Sequence, residues 1–291
     1  MKVNESLINL LHTDVMRLGL FVSTKKQIIY VSTPKVACTS LLWWLAEIEG
    51  YSEDDFKSVD SCEVSMDLKI HDCILKIAPH LQNFSPDEIA TILTSGNFFS
   101  FCIVRNPYTR IFSAWQSKIL LEEPLQIQEY KKCNFLNLPI NNVKDIAYAF
   151  ENFLSYIYNN EFPDINNFHW KPMVELLYPD IIPYTKIYRL ERCSQMAMDF
   201  QEIVGCNTSI PLSKKNKFND SILPFNHAFF TSKSIELIKL LYKDDFTTFD
   251  YSADMPKESI NFTKKQFDVY IRAIYMLRSR HKRIGEILSN K

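Results

Sequence analysis

Two stretches of this sequence repeat one pattern, a short apolar strand followed by a polar loop and a helix, and this pattern restricts the fold more than any other feature. The first stretch predicts a strand over residues 27–31 and a helix over residues 39–49. The second predicts a strand over residues 98–104 and a helix over residues 109–121, which a proline begins at its first turn. Such units are typical of an α/β fold, with a central parallel sheet flanked by helices.

The rest of the chain is predicted to be mostly helical and to contain no interdomain linker. Helical spacing of apolar residues recurs at 146–158, 234–242 and 264–288, while residues 122–142 have weak periodicity and several prolines and asparagines. We therefore predict one domain over residues 1–255, with residues 256–291 as its C-terminal helical extension.

Charge and cysteine usage exclude several classes of protein. Lys plus Arg number 33 and Asp plus Glu number 34, so general electrostatic binding of nucleic acid is not expected and any anion site must be local. The seven cysteines are scattered and form no C-x-x-C pair, which indicates neither a zinc site nor a disulfide framework. No signal peptide and no apolar run of about 20 residues is seen, so we expect a soluble, cytoplasmic protein.

The first loop has the composition of a phosphate site. Main-chain amides, hydroxyl groups and one ammonium group converge where a strand enters a helix, and small side chains let a phosphate approach the backbone. The predicted binding residues are Lys35, Val36, Ala37, Cys38, Thr39 and Ser40. A Walker A loop is disfavoured because no glycine occurs between Gly19 and Gly50. The alternative interpretation is that Pro34 only turns the chain and Thr39 only caps the helix.

The second loop offers a separate anion site. Arg105 follows the second strand directly, where open α/β sheets place ligand-binding groups, and Ser113 lies eight positions further on. A guanidinium fork and a hydroxyl group suit a phosphate monoester. Taken singly, Arg105 is equally well explained as a salt-bridged surface residue, and Ser113 as a packing serine.

These motifs together resemble the carbohydrate sulfotransferases, especially the Golgi group that acts on chondroitin, dermatan and related glycans. The similar segments are Thr33-Pro34-Lys35-Val36-Ala37-Cys38-Thr39-Ser40, the run from Val104 to Ala114, Ile70-His71-Asp72, His169-Trp170-Lys171-Pro172, and the run from Leu241 to Tyr251. The family usually has Asp where this chain has Asn106. We expect that change to be tolerated, because the phosphate contacts are assigned to Arg105 and Ser113.

The resemblance implies a P-loop-like three-layer fold and a reaction. The donor would be 3′-phosphoadenosine 5′-phosphosulfate, released as 3′-phosphoadenosine 5′-phosphate after in-line transfer of its sulfuryl group to a carbohydrate hydroxyl, with no metal required. By this resemblance the catalytic residues are Lys35 and the general base His71, with His169 as the second candidate for the base. His169 and Trp170 would contact the acceptor, although packing of the indole in the core is an equally simple explanation.

Other readings of the same residues remain open. The fold also fits a P-loop nucleotide kinase or phosphotransferase, or a non-catalytic module that binds a nucleotide or a glycan. The basic C-terminal helix permits peripheral membrane contact, but the near-neutral charge of the whole chain favours the simpler explanation of a solvated charged face. The sequence leaves the oligomeric state undetermined.

Overall fold

A computed structural model of the chain describes residues 5–13, 16, 19–130, 133, 135, 139–159, 167–204 and 221–289. The chain divides into two compact units, each built from two segments. The first unit comprises Met1–Arg105 and Met173–Asn219, and the second comprises Asn106–Pro172 and Asp220–Lys291.

The first unit contains a four-stranded sheet. Its strands lie in the order β1 (Leu20–Ser23), β2 (Ile28–Val31), β3 (Phe99–Val104) and β4 (Lys186–Arg189). Strands β2, β3 and β4 are parallel, whereas β1 pairs antiparallel with β2. The central sheet is therefore mixed, with three parallel strands as predicted and one antiparallel pair at the β1 edge. Only four residues connect Ser23 to Ile28, a connection long enough for a hairpin but too short for a parallel crossover.

Aromatic side chains form the core on one face of this sheet. Tyr30 on β2 lies opposite Phe101 on β3, with 5.1 Å between the ring centroids. Phe200 packs 4.6 Å from Phe101 and stacks at 4.7 Å on Trp44. Strands β1 and β2 are buried throughout, so their sequences do not alternate between apolar and polar residues and are apolar except for Ser23 at the end of β1.

Helices flank the sheet in the first unit. The helix after β2 spans Cys38–Glu49 and is called here the loop helix; the helix that carries His71 spans Lys69–Ile77 and is called the His71 helix. The remaining helices of this unit are Glu5–Leu11, Glu53–Lys57, Pro86–Thr94, Val174–Leu177 and Cys193–Val204.

The second unit is helical over its described residues. Its first helix, Pro107–Trp115, continues as a π-helical turn over Gln116–Leu120. The others are Val143–Tyr158, Ser232–Leu241, Lys243–Thr248 and the C-terminal helix, Lys264–Ser289. Phe150 forms the centre of an aromatic core, 5.2 Å from Phe112 and 5.0 Å from Trp115 between ring centroids.

The predicted class, an α/β fold with a central sheet flanked by helices and a C-terminal helix, is confirmed. The division at residue 255 stays a prediction. Among the helices that the structure describes, none combines the length and apolar character needed to cross a lipid bilayer.

Candidate active site

The loop between β2 and the loop helix has an unusual backbone. Lys35 has a φ of 68° and Ala37 a φ of 64°, both in the left-handed region that glycine favours. Alternating backbone conformations of this kind turn successive N–H groups toward one point and form an anion-binding concavity. A left-handed L-residue costs about 1–2 kcal/mol, so the surrounding fold must hold this loop in place.

The N-cap of the loop helix is Ala37, whose side chain cannot accept a hydrogen bond. The alternative in which Thr39 caps this helix is therefore wrong, because Thr39 lies inside the first turn. The first-turn N–H groups thus have no cap from the N-cap side chain, which is the arrangement found where a helix N-terminus binds an anion. Val36 is fully buried and anchors the loop, while Thr39 and Ser40 are buried at its end.

The loop also contains the buried hydroxyl group of Thr33. Its side chain is fully buried, and its Oγ1 has no hydrogen-bond partner among the residues that the structure describes. An unpaired buried hydroxyl costs roughly 1–3 kcal/mol, and such groups cluster at functional sites.

Arg105 and the first loop come together, although 70 positions separate them in the sequence. The Arg105 guanidinium donates a hydrogen bond from Nη1 to the Lys35 carbonyl oxygen at 3.1 Å. The contact follows from topology: β2 and β3 are parallel neighbours, so their carboxyl ends meet at one edge of the sheet. Both side chains remain partly exposed at this edge.

His71 also reaches the first loop. Its Nε2 shares a hydrogen bond of 2.9 Å with Thr39 Oγ1. The His71 helix is anchored by three buried residues, Ile70, Cys73 and Ile74, whereas the imidazole itself is exposed. Asp72 fixes the preceding chain, because its Oδ2 accepts hydrogen bonds from the hydroxyl of Ser61 and the N–H of Cys62.

Cys38, the first residue of the loop helix, has a thiol whose pKa lies below its ordinary value. Burial alone would raise its pKa. A hydrogen bond from His71 and the charges of His71 and Lys35 outweigh this effect, and together they lower the pKa from 9.0 to about 6. Sequence reasoning predicted Cys38 as a small residue of the phosphate-binding loop and did not predict its lowered pKa, because nothing in the local pattern reveals the contact with His71.

Ser113 lies in the second unit, on the helix Pro107–Trp115. It is 6% exposed, and its Oγ accepts a hydrogen bond from Ser221 Oγ at 3.2 Å. Its pairing with Arg105 in phosphate binding stays a prediction.

His169 and Trp170 have different surroundings within the second unit. Trp170 is 2% exposed and packs against Tyr130 and Phe153, as the packing explanation requires. His169 is partly exposed, and its Nδ1 hydrogen-bonds with Asn167 Oδ1 at 2.8 Å. A role for either residue in acceptor binding stays a prediction.

Sequence reasoning missed Arg110, a buried charged residue of the second unit. Arg110 is 1% exposed and donates hydrogen bonds to the carbonyl oxygens of Phe168 and Lys171, on either side of His169 and Trp170. A cation inside an otherwise uncharged helix was the available signal. Arg110 therefore braces the His169 segment.

Asn106 caps the helix that Pro107 begins. Its Oδ1 accepts a hydrogen bond from the N–H of Tyr108 at 3.0 Å. An Asp carboxylate at this position can accept the same bond, so the helix cap is compatible with either residue.

No group of three or more His, Cys, Asp or Glu side chains placed to bind a metal ion occurs within the described ranges. The expectation that the reaction needs no metal stays a prediction.

The sequence profile of the sulfotransferase family matches residues 18–252, and the chain belongs to this family. The resemblance seen in the motifs is therefore confirmed, and the match includes β1 and all of the first loop.

Individual relatives are carbohydrate sulfotransferases. Carbohydrate sulfotransferase 10 of Gallus gallus is 30% identical over 194 residues, which make up 62% of this chain and 52% of that protein. The Danio rerio protein of the same name is 25% identical over 275 residues, 85% of this chain and 71% of that protein. Carbohydrate sulfotransferase 11 of Mus musculus is 24% identical over 247 residues, 80% and 67% respectively. The chain spans about half the length of the Gallus gallus relative. No solved structure matches the chain.

These relatives correct one expectation. Carbohydrate sulfotransferases 10 and 11 are enzymes of the Golgi membrane, so the expectation of a cytoplasmic protein is wrong.

Proposed function

We propose that this chain transfers the sulfuryl group of 3′-phosphoadenosine 5′-phosphosulfate to a hydroxyl of a carbohydrate. The observation that carries the proposal is the contact between Arg105 and Lys35, because it joins the two predicted anion-binding loops at one sheet edge. The family match and the names of the relatives support sulfuryl transfer and a carbohydrate acceptor.

The first loop is proposed to hold the 5′-phosphosulfate. The Lys35 ammonium and the first-turn N–H groups of the loop helix stabilise negative charge that develops on the leaving phosphate. The buried hydroxyls of Thr33, Thr39 and Ser40 are available as further donors at the same place. Arg105 and Ser113 are proposed to hold the 3′-phosphate.

His71 is proposed as the general base. The acceptor oxygen forms a bond to sulfur, the bond between sulfur and the 5′-phosphate oxygen breaks, and the acceptor proton passes to the imidazole. 3′-Phosphoadenosine 5′-phosphate then leaves. The transition state is loose, so positioning and charge stabilisation account for most of the rate. The bond between His71 and Thr39 supports this role because it puts the imidazole beside the loop.

The test is turnover of sulfur-labelled donor with a panel of glycans. We expect Lys35→Ala to lower kcat by about 10²- to 10³-fold and His71→Ala by about 10²- to 10⁴-fold. Matched controls are Lys76→Ala, an exposed lysine on the same helix as His71, and His80→Ala, an exposed histidine bonded to Glu49. Undiminished turnover in both Lys35→Ala and His71→Ala would refute the assigned roles.

Two further arms separate the alternatives. A nucleotide kinase needs Mg²⁺ to bridge its phosphates, so full activity in EDTA supports sulfuryl transfer over phosphoryl transfer. Tight binding of 3′-phosphoadenosine 5′-phosphate without transfer to any glycan of the panel would instead indicate a non-catalytic binding module.

A further inference from the structure

The C-terminal helix, Lys264–Ser289, has a buried face and an exposed face of different chemistry. Its buried residues recur every seven positions and therefore lie along one side of the helix; they are Phe267, Ile274 and His281. Phe267 packs on Phe262 and His281 bonds to the Leu121 carbonyl oxygen, which fixes the orientation of the helix within the second unit.

The opposite side carries a stripe of cations and large apolar side chains. The residues of this stripe are spaced by three or four positions and therefore share one face: Lys265, Val269, Arg272, Met276, Arg280, Arg283 and Ile287. All of them are exposed, including Val269 at 48%, Met276 at 73% and Ile287 at 61%. The helix has only two acidic residues, Asp268 and Glu286, and both lie at one border of the stripe.

The charge of the stripe is a local feature. The whole chain has a formal net charge of −1, whereas this helix has basic residues in clear excess over acidic ones. At the rise of an α-helix, Lys265 to Ile287 is about 33 Å long, which is enough to lie along an extended surface. Electrostatic attraction at this face is therefore directed to one side of the second unit.

We propose that this stripe binds the surface of an anionic phospholipid bilayer. Lys and Arg side chains pair with acidic headgroups, and Val269, Met276 and Ile287 enter the boundary between headgroups and acyl chains. A polysaccharide polyanion satisfies the cations but offers nothing apolar to the three side chains between them. A second copy of the chain, docked stripe to stripe, would bring like charges together.

The test is co-sedimentation of the full chain with vesicles. Vesicles of phosphatidylcholine and phosphatidylserine at four to one should bind the protein, while vesicles of phosphatidylcholine alone should not. Arg272→Glu with Arg283→Glu should weaken binding by at least about thirtyfold, given the attraction of each basic residue to an anionic leaflet. Binding by the wild type should also fall as salt is raised.

Two other variants sharpen the result. Met276→Ser with Val269→Ser keeps every charge, and should weaken vesicle binding several-fold. Lys243→Glu with Lys257→Glu makes the same charge change at exposed lysines outside the C-terminal helix, and should leave binding within about twofold of the wild type. Circular dichroism and a thermal midpoint within about 2 °C of the wild type establish that each variant is folded.

Three outcomes would overturn the proposal. One is equal binding to both kinds of vesicle. Another is an equal loss in the control and stripe variants. The third is stripe-dependent retention on immobilised chondroitin sulfate with no vesicle binding, which would assign the stripe to an acidic polysaccharide.

Discussion

The two loops that follow β2 and β3 begin their helices in opposite ways. After β2, the N-cap of the loop helix is Ala37, which has a left-handed conformation and no side-chain acceptor. Thr33, earlier in the same loop, is buried without a hydrogen-bond partner in the described part of the chain. After β3, the helix Pro107–Trp115 begins with an Asn106 cap and a proline, which has no N–H to satisfy. The N-cap side chain of the second helix accepts a hydrogen bond from a first-turn N–H group, whereas the N-cap side chain of the first helix accepts none.

This difference separates two ways of binding an anion. The first loop offers main-chain donors that a ligand can satisfy, so its backbone conformation matters as much as Lys35. At the second loop, the N-terminal donors are already engaged, so a phosphate must be held by side chains such as Arg105. Changes to backbone conformation should therefore damage the first loop most, and loss of the cap at the second should affect stability more than binding.

The largest expected effect is at Ala37. Ala37→Val puts a β-branched residue in the left-handed region, which should destabilise the protein by about 1–2 kcal/mol and weaken binding of 3′-phosphoadenosine 5′-phosphate at least tenfold. Ala37→Gly is the matched control, because glycine adopts this conformation without strain and should keep the wild-type affinity. Calorimetric titration and thermal unfolding measure both effects. Equal affinities for the two variants would show that the loop conformation is irrelevant to binding.

A smaller effect is expected at Thr33. Thr33→Val removes a buried hydroxyl that has no partner in the described residues, so stability should stay the same or rise. Nucleotide affinity should fall roughly five- to tenfold if the hydroxyl pairs with the ligand. Thermal unfolding with and without nucleotide separates the two results. A variant that loses stability but keeps its affinity would contradict a binding role for this hydroxyl.

The cap at the second loop gives a still smaller effect. Asn106→Ala should cost about 1 kcal/mol of stability and change nucleotide affinity by less than about threefold, because it removes the acceptor for the Tyr108 N–H. Asn106→Asp should restore the stability, since a carboxylate accepts the same bond. Denaturant unfolding of the three proteins decides the point. A stable Asn106→Ala variant would mean that the cap contributes nothing.

The smallest change is a titration at Cys38. Its thiol pKa is lowered from 9.0 to about 6, so the rate of alkylation by iodoacetamide should reach half its maximum near pH 6. The same shift stabilises the folded state increasingly as pH rises from about 6 toward 9, and this contribution is lost as pH falls through 6. His71→Asn should move the alkylation midpoint to higher pH. Mass spectrometry of the labelled peptide gives the rates, and a midpoint above pH 8 in the wild type would contradict the contact with His71.

The sequence predicted those elements whose signal is local. Strands β2 and β3 and the helices after them follow from apolar runs next to loop residues, and the C-terminal helix follows from its spacing. Strands β1 and β4 were missed because each has only four residues and, unlike the equally short β2, neither stands beside a loop motif that draws attention to it. The His71 helix was also missed, and His71 was placed only as lying ahead of β3.

The contacts within the candidate site could not be predicted in the same way. The bond between His71 and Thr39 spans 32 positions, and the bond between Arg105 and Lys35 spans 70. Such contacts depend on which strands pair and on how a helix packs against them. A local sequence pattern predicts neither the strand pairing nor the helix packing. The motifs identified the residues, and the parallel pairing of β2 with β3 brought Arg105 to the first loop.

The central claim is that the first loop and Arg105 bind opposite ends of one nucleotide, and calorimetric titration with two ligands tests it most directly. Wild-type protein should bind 3′-phosphoadenosine 5′-phosphate at least tenfold more tightly than adenosine 5′-monophosphate, which lacks the 3′-phosphate. Arg105→Ala should abolish this preference, whereas Lys35→Ala should weaken both ligands and keep it. An Arg105→Ala protein that still prefers the bisphosphate by the wild-type factor would contradict the account.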